Sequence, residues 1–283
     1  MVWRAVSRVL RSRRVADDIL DTVFPGDCRV CGGPLSFRTG AGPACERCIG
    51  SIRPQRGGLC ACCGEALGME SERFHAQGSG DVRCAACRLA PPSFTRAVAF
   101  GLYEDELREM VHLLKYEGVR SVASALGGRL AETIAALGLT DTLVIAVPLF
   151  PTKERARGYN QSVLLADAAI KHLRPSNLVS AHGLLRRTRD TESQFALTAR
   201  MRRKNLRNAF AAANPARLAG REILLVDDIY TTGATARECA RVLIAAGAAR
   251  VWVATLARAQ KEQVGLWSGS VRDPVGFGET LRE

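Results

Sequence analysis

ILLVDDIYTTGAT, residues 223–235, runs four apolar residues into two adjacent aspartates and then into a turn of small hydroxyl residues around one glycine. A continuous apolar run of this length, closed by a turn, reads as a strand buried on both faces, the habit of a parallel sheet. Asp227 and Asp228 are costly neighbours unless a cation or several hydroxyl donors neutralise them. Directly behind them come Thr231, Thr232, Gly233, Ala234 and Thr235. Between a parallel strand and a helix, such a turn makes a phosphate cradle: backbone N–H groups and threonine hydroxyls point inward, and the helix N-terminus adds partial positive charge. Gly233 permits close backbone approach. The two carboxylates suit the vicinal hydroxyls of a ribose whose phosphate lies in the turn, with Mg2+ nearby. The pattern is neither G-x-x-x-x-G-K-[ST] nor G-x-G-x-x-G, which excludes the usual nucleotide loops.

The text around this stretch alternates. RAVAFGLY (96–103) reads as a strand, EDELREMVHLLKY (104–116) as an amphipathic helix, 119–137 as a second helix and TLVIAVPL (142–149) as a buried strand. A helix from about Asn160 to Leu173 and a strand near Leu178 to Leu185 follow. After REILLVDD (221–228) come a helix at 236–247 and a last strand, RVWVATLAR, at 250–258. Strands separated by helices predict an α/β fold, a parallel sheet flanked by helices, with ligands beyond the C-terminal strand ends.

The chain has 283 residues, 47% hydrophobic and 24% charged, so it can bury a core of one large or two smaller domains. No apolar run reaches the roughly 18 uncharged residues of a membrane span. The basic N-terminus lacks the apolar centre of an export signal, and the expectation is a soluble cytoplasmic protein. The formal charge of +12 is uneven: residues 1–14 carry five arginines and no acid, and 186–207 hold eight Lys/Arg against Asp190 and Glu192. Such clusters attract polyanions, although a solvated basic face is the plain alternative.

Eight cysteines form four C-x-x-C pairs: Cys28/Cys31, Cys45/Cys48, Cys60/Cys63 and Cys84/Cys87. Thirteen residues separate the first two pairs and twenty the last two, the spacing of two zinc ribbons. The intervening text is too poor in apolar residues to build a core without metal. A disulfide framework is the competing reading and needs an oxidising compartment; redox catalysis through one pair is another. Cys62 reads as a spare thiol, Cys239 as a core residue and His75 as a solvated loop histidine. The longer insert makes the second ribbon the weaker of the two.

Residues 223–235 resemble the phosphoribosyl-pyrophosphate (PRPP) signature of type I phosphoribosyltransferases. From about 24 to 258 the chain is similar to the ComF family of competence-associated phosphoribosyltransferase-like proteins. The similarity rests on FPGDCRVCGG with the ribbon cysteines, HLLKYEG (112–118), VPLFPTKERARGYNQS (147–162), RTRDTESQFALTARMRRKNLRNAF (187–210) and the signature. It implies that Asp227 and Asp228 hold the ribose hydroxyls and stabilise an oxocarbenium-like ribosyl ring as pyrophosphate leaves. It implies further that Thr231 to Thr235 bind the 5-phosphate, and that the loop after the Val147 strand, with Lys153, Arg155 and Arg157, faces the pyrophosphate. Tyr159, Asn160 and Gln161 go with the acceptor region, and the segment carrying Gln194, Leu197, Arg200 and Asn205 with a closing hood. Thr231 stands where purine-salvage members are acidic, which disfavours purine salvage.

The resulting organisation is a basic extension (1–23), a double zinc ribbon (24–91) separable from the sheet, a phosphoribosyltransferase-like domain (92–260) and a tail (261–283). The expected cofactors are structural Zn2+ and Mg2+ with PRPP. The acceptor is unidentified and the oligomeric state is left open. Two alternatives stand beside a transferase: a non-catalytic PRPP sensor, and an accessory protein handling single-stranded DNA beside a DNA-uptake helicase, since zinc ribbons with basic patches are frequent nucleic-acid modules. Aromatics at 6% of the chain argue against strong base stacking.

Overall fold

The computed structural model describes residues 26–35, 42–67, 82–190 and 206–260. The basic extension, His75, the hood with Gln194, Leu197, Arg200 and Asn205, and the tail lie outside the described residues.

Five strands form one parallel sheet: β3 (Arg96–Leu102), β4 (Thr142–Ala146), β5 (Leu178–Ser180), β8 (Glu222–Tyr230) and β9 (Arg250–Arg258). Their spatial order is β3-β9-β8-β4-β5. Alternation sends Leu224 and Val226 of β8, Val144 and Ala146 of β4, and Ala254 and Leu256 of β9 to one face. Ile223, Leu225, Leu143, Ile145, Val251 and Val253 go to the other. The continuous apolar runs are therefore explained by burial on both sides.

The first face is covered by α3 (Asp105–Tyr116), α4 (Val122–Ala135) and α6 (Gln161–His172). Leu107, Met110, Val111 and Leu114 of α3 recur at helical spacing and are buried, while Asp105 and Glu106 complement the positive end of its dipole. The second face carries α8 (Ala234–Ala245), the short helix α7 (Pro215–Leu218) and an antiparallel hairpin of β6 (Leu185–Arg187) with β7 (Phe210–Ala212). Cys239 is fully buried there.

Four segments differ from expectation. The expected strand 178–185 divides into β5, a 3-10 turn at His182–Leu184 and β6. His182 causes the break: its Nδ1 accepts the Ala146 N–H at 3.0 Å, and Nε2 donates to Asp167 at 3.1 Å. PTKERAR, read as loop, is the helix α5 (Pro151–Arg157), started by Pro151 and ended by Gly158 in the left-handed region. β4 stops at Ala146, ahead of Pro148, whereas β8 continues past the aspartates to Tyr230.

The described residues between 26 and 91 pack on the sheet. Short strands β1 (Gly26–Asp27) and β2 (Pro34–Leu35) bracket the first C-x-x-C, and the helix α1 (Glu46–Ser51) follows Cys45. Cys28, Cys48 and Ile52 join the core on the first face. The second set, ending in α2 (Ala85–Leu89), joins the core on the opposite face.

Candidate functional site

The connections leaving β4 and β8 diverge: α6 packs on one face of the sheet and α8 on the other. The crevice between neighbouring β4 and β8 is thus the topological switch point of the sheet. The Val147 amide makes a last bond to the Val226 carbonyl at 2.8 Å, and beyond it β8 is paired only with β9. Asp227 and Asp228 are the first residues past that rung.

Asp228 is buried at 3% exposure, and its Oδ2 lies 3.0 Å from Lys115 Nζ at the C-terminal end of α3. Burial, the largest single influence, would lower the Lys115 pKa; the charges of Asp228, Tyr116 and Asp227 and the hydrogen bond to Asp228 together outweigh it and hold the ammonium above its ordinary range. Asp227 is half-buried. Its Oδ1 accepts from Ser162 Oγ and from the Asp228 amide, each at 3.0 Å. Burial first, and then the charge of Asp228, raise its pKa to about 7; Lys115, the amide and Ser162 offset this only in part. Two carboxylates thus share one ammonium, and Asp227 Oδ2 has no hydrogen bond among the described residues. The pair can accept hydroxyl protons from a ligand.

The turn after β8 is shaped by Gly233, which has φ of +72° and caps α8. A Cβ there would lie 2.1 Å from Tyr230 Oη, so only glycine fits. Thr232 Oγ1 is buried without a partner among the described residues, which suits an acceptor-rich group brought in from outside. Thr231 and Thr235 are half-buried beside it, and Ala234 is buried.

The RGYNQS segment builds the opposite wall. Asn160 caps α6, its Oδ1 accepting the Ser162 N–H at 2.9 Å and its Nδ2 donating to the Val147 carbonyl at 3.0 Å. This leaves the Ser162 hydroxyl free to donate to Asp227. Tyr159 is placed in the core, donating to the Leu114 carbonyl beneath Arg120. Arg157 donates to Gln161 Oε1 and lies 5.8 Å from the ring of Tyr116. Lys153 and Arg155 are exposed on α5, with Lys153 bound to Asp190 at 3.1 Å. Lys115 and Ser162 were not named from the sequence as site residues. The one signal for them was their place inside HLLKYEG and RGYNQS.

Both cysteine sets converge. In each, the four Sγ atoms lie within 4.8 Å of one another, and no disulfide forms among them. Cys28–Cys48, Cys31–Cys45 and Cys63–Cys84 are 3.9, 3.8 and 3.7 Å apart. A tetrahedron with metal–sulfur bonds of about 2.3 Å has edges of about 3.8 Å, so both sets fit a metal ion. Amides and cations approach the sulfurs: the Cys45 N–H to Cys28 at 3.3 Å, the Cys84 N–H to Cys60 at 3.2 Å and Arg47 to Cys31 at 3.4 Å. The Gly33 amide and Arg47 hold the Cys31 pKa at about 6. The second set, the weaker by its insert, has all four cysteines buried, whereas Cys31 of the first is exposed.

Residues 160–272 match the phosphoribosyl transferase domain. The DNA utilization protein YhgH of Escherichia coli O157:H7 is 35% identical over 240 residues, 83% of this chain and 97% of its own. Competence protein F of Haemophilus influenzae is 30% identical over 230 residues, 76% of this chain and 96% of its own. The chain belongs to the ComF/YhgH family. Competence protein ComFC of Bacillus subtilis is 30% identical over 148 residues, 52% of this chain and 57% of its own. The family domain begins at Asn160, so it takes in Ser162, Asp227, Asp228 and the turn, while Lys115 and both cysteine sets precede it. No helix among the described residues is long and apolar enough to cross a membrane.

Proposed function

We propose that the chain binds PRPP at the switch-point crevice and acts as a phosphoribosyltransferase toward an acceptor still to be found. The observation that carries this reading is the meeting of Asp228, paired with Lys115, and Asp227, hydrogen-bonded by Ser162, with a glycine-shaped turn holding an unpartnered threonine hydroxyl. The carboxylates accept from the ribose hydroxyls; Thr231 to Thr235 and the α8 N-terminus take the 5-phosphate. Asp227 and Asp228 face the ring as positive charge grows on it, and their fixed placement costs no reorganisation at that moment. Mg2+, when bound with PRPP, supplies charge neutralisation of the pyrophosphate. Zn2+ in the two cysteine sets is structural, because all four ligands of each are protein thiolates with no open position.

Titration of the metal-loaded protein with PRPP by calorimetry, with and without Mg2+, tests the reading. Micromolar, Mg2+-dependent binding that disappears on joint Asp227→Asn and Asp228→Asn replacement is expected. Retained affinity in the double variant removes PRPP from this crevice. A second reading, a role in handling single-stranded DNA, is supported by relatives named for DNA utilization and competence and by the +12 charge. If it holds through phosphate contacts, affinity for an oligonucleotide falls steeply with salt; salt-independent binding refutes it.

A further inference from the structure

We infer that the Cys60–Cys63–Cys84–Cys87 centre positions the phosphate turn, with Arg258 and Arg237 as the two positioning residues that connect them. The inference rests on the PRPP reading for its effect on affinity, and on the geometry alone for the coupling.

Arg258 ends β9 directly opposite Tyr230, and it is buried at 4% exposure. Its guanidinium donates to the Cys63 carbonyl, lies 3.7 Å from Cys63 Sγ and donates to Glu65 Oε2 at 2.9 Å. The same group lies 4.5 Å from the centre of the Tyr230 ring. That ring is the floor of the turn, since Gly233 sits on it with no room for a single added carbon. Phe94 meets the ring edge-on at 6.5 Å and fixes it from the cysteine side.

Arg237 makes the second strut. It lies in the first turn of α8, immediately past the phosphate turn. It donates to the Ala90 carbonyl at 2.6 Å and reaches Cys87 Sγ at 3.7 Å. Tyr230 on one side of the turn and Arg237 on the other are therefore both referred to the same four sulfurs. With metal bound, those sulfurs are four fixed anionic atoms and the two arginines have defined partners. Without it, Arg258 keeps a buried charge beside thiols that no ion holds together. The first centre has a different address: among the described residues, its side-chain ties to the sheet domain run to α3 and α4, through Arg29–Glu117 and Arg129 to the Ile49 carbonyl.

The test compares two metal-deficient variants of the full chain, Cys84→Ser and Cys31→Ser, with the wild type. Atomic emission verifies that each has lost one zinc equivalent. Amide hydrogen exchange over residues 230–237 is then measured without ligand. Faster exchange in Cys84→Ser, but not in Cys31→Ser, is expected. Equal exchange in both, whether raised or not, overturns the coupling. Arg237→Gln, which keeps every thiol, guards against a general folding defect in the cysteine variants. It is expected to retain two zinc equivalents and to weaken PRPP binding about tenfold, the loss of one charge-assisted hydrogen bond's worth of positioning. Unchanged exchange and unchanged affinity in Arg237→Gln overturn the inference. A wild type that binds no PRPP overturns the functional reading instead, and the exchange comparison still decides the coupling.

Discussion

Asp227→Asn changes one atom of a side chain whose Oδ1 holds Ser162 Oγ and the Asp228 amide, each at 3.0 Å. The amide oxygen of asparagine accepts the same two bonds, so the fold loses no contact, while the charge disappears. In the folded protein the carboxyl has its pKa raised from 3.8 to about 7, chiefly by burial and then by Asp228. Between those values the folded state holds a proton that the unfolded state has released. The stability tied to that proton is whole below about pH 3.8 and is lost as pH rises to about 7. At 1.36 kcal/mol per pH unit the full loss is about 4 kcal/mol. Asp227 is only half-buried, and solvent screening reduces this to about 2 kcal/mol. The asparagine variant escapes the cost, so it is expected to melt roughly 4–8 °C higher than the wild type at pH 8. The gap should narrow steadily as pH falls toward and below 5, as the wild-type carboxyl takes up its proton. Thermal scans from pH 5 to 8.5, with PRPP titrations beside them, give both readouts: a more stable protein that no longer binds. Parallel melting curves across the whole pH range would refute the reasoning, because they would place the Asp227 titration where an ordinary aspartate titrates.

Lys115→Met leaves Asp228 buried without its counter-charge and should cost about 3–5 kcal/mol in urea unfolding; an unmoved midpoint would show that the ion pair at 3.0 Å contributes nothing. Gly233→Ala puts a carbon 2.1 Å from Tyr230 Oη on a backbone with φ of +72°. It is expected to lower PRPP affinity by more than about tenfold and to reduce the melting temperature, and wild-type affinity would count against the turn as the phosphate site. Joint Cys28→Ser and Cys31→Ser replacement should reduce bound zinc from two equivalents to one by atomic emission; two retained equivalents would refute the first ligand set.

The aspartates and the strand carrying them were legible because a parallel strand advertises itself through unbroken apolar text, and because paired carboxylates at its end have few structural uses. β9 falls on the residues expected, Arg250–Arg258, since its text between the two arginines is apolar except for Thr255 and Gly247 closes the helix before it. The break at His182 was not legible. Nothing local in Leu178–Leu185 shows that an imidazole will take the Ala146 amide and end the pairing. α5 had its signals in the text, Pro151 at the start and Gly158 at the end, but it buries none of its seven residues, so no apolar stripe marks it as a helix. Lys115 is the instructive omission. It lies far from Asp228 in sequence, and a lysine in the last turn of an amphipathic helix usually answers to the helix dipole. Its role depends on which strand end α3 covers, which is a property of topology. The roles of Arg237 and Arg258 were hidden for the same reason, since each acts through a cysteine segment 150 or more positions earlier.

The packing of the cysteine segment leads to a further expectation. Among the described residues β3 pairs with β9 on one side only and is an edge strand of the sheet. Its other side is covered by the chain that runs from the first centre into the second: the Gln55 N–H donates to the Phe100 carbonyl at 2.5 Å, and the Ala97 N–H to the Cys62 carbonyl at 2.7 Å. Contact is so close that a Cβ on Gly101 would lie 2.6 Å from the Arg53 carbonyl oxygen. From this edge one centre turns onto each face of the sheet, Cys28 and Cys48 against the core of α3, Cys60 and Cys63 against the core of α8. An edge strand left open is a template for pairing with other chains, and here the cover is a segment with a four-cysteine set at each end. A chain beginning at residue 92 should therefore lose more than two metal ions: it should expose β3 and the apolar flanks beneath both centres, and associate. Size-exclusion chromatography with light scattering reads the outcome directly. A monodisperse, cooperatively melting 92–283 fragment would mean that the sheet closes its own edge, and that the cysteine segment is a passenger on it rather than part of its fold.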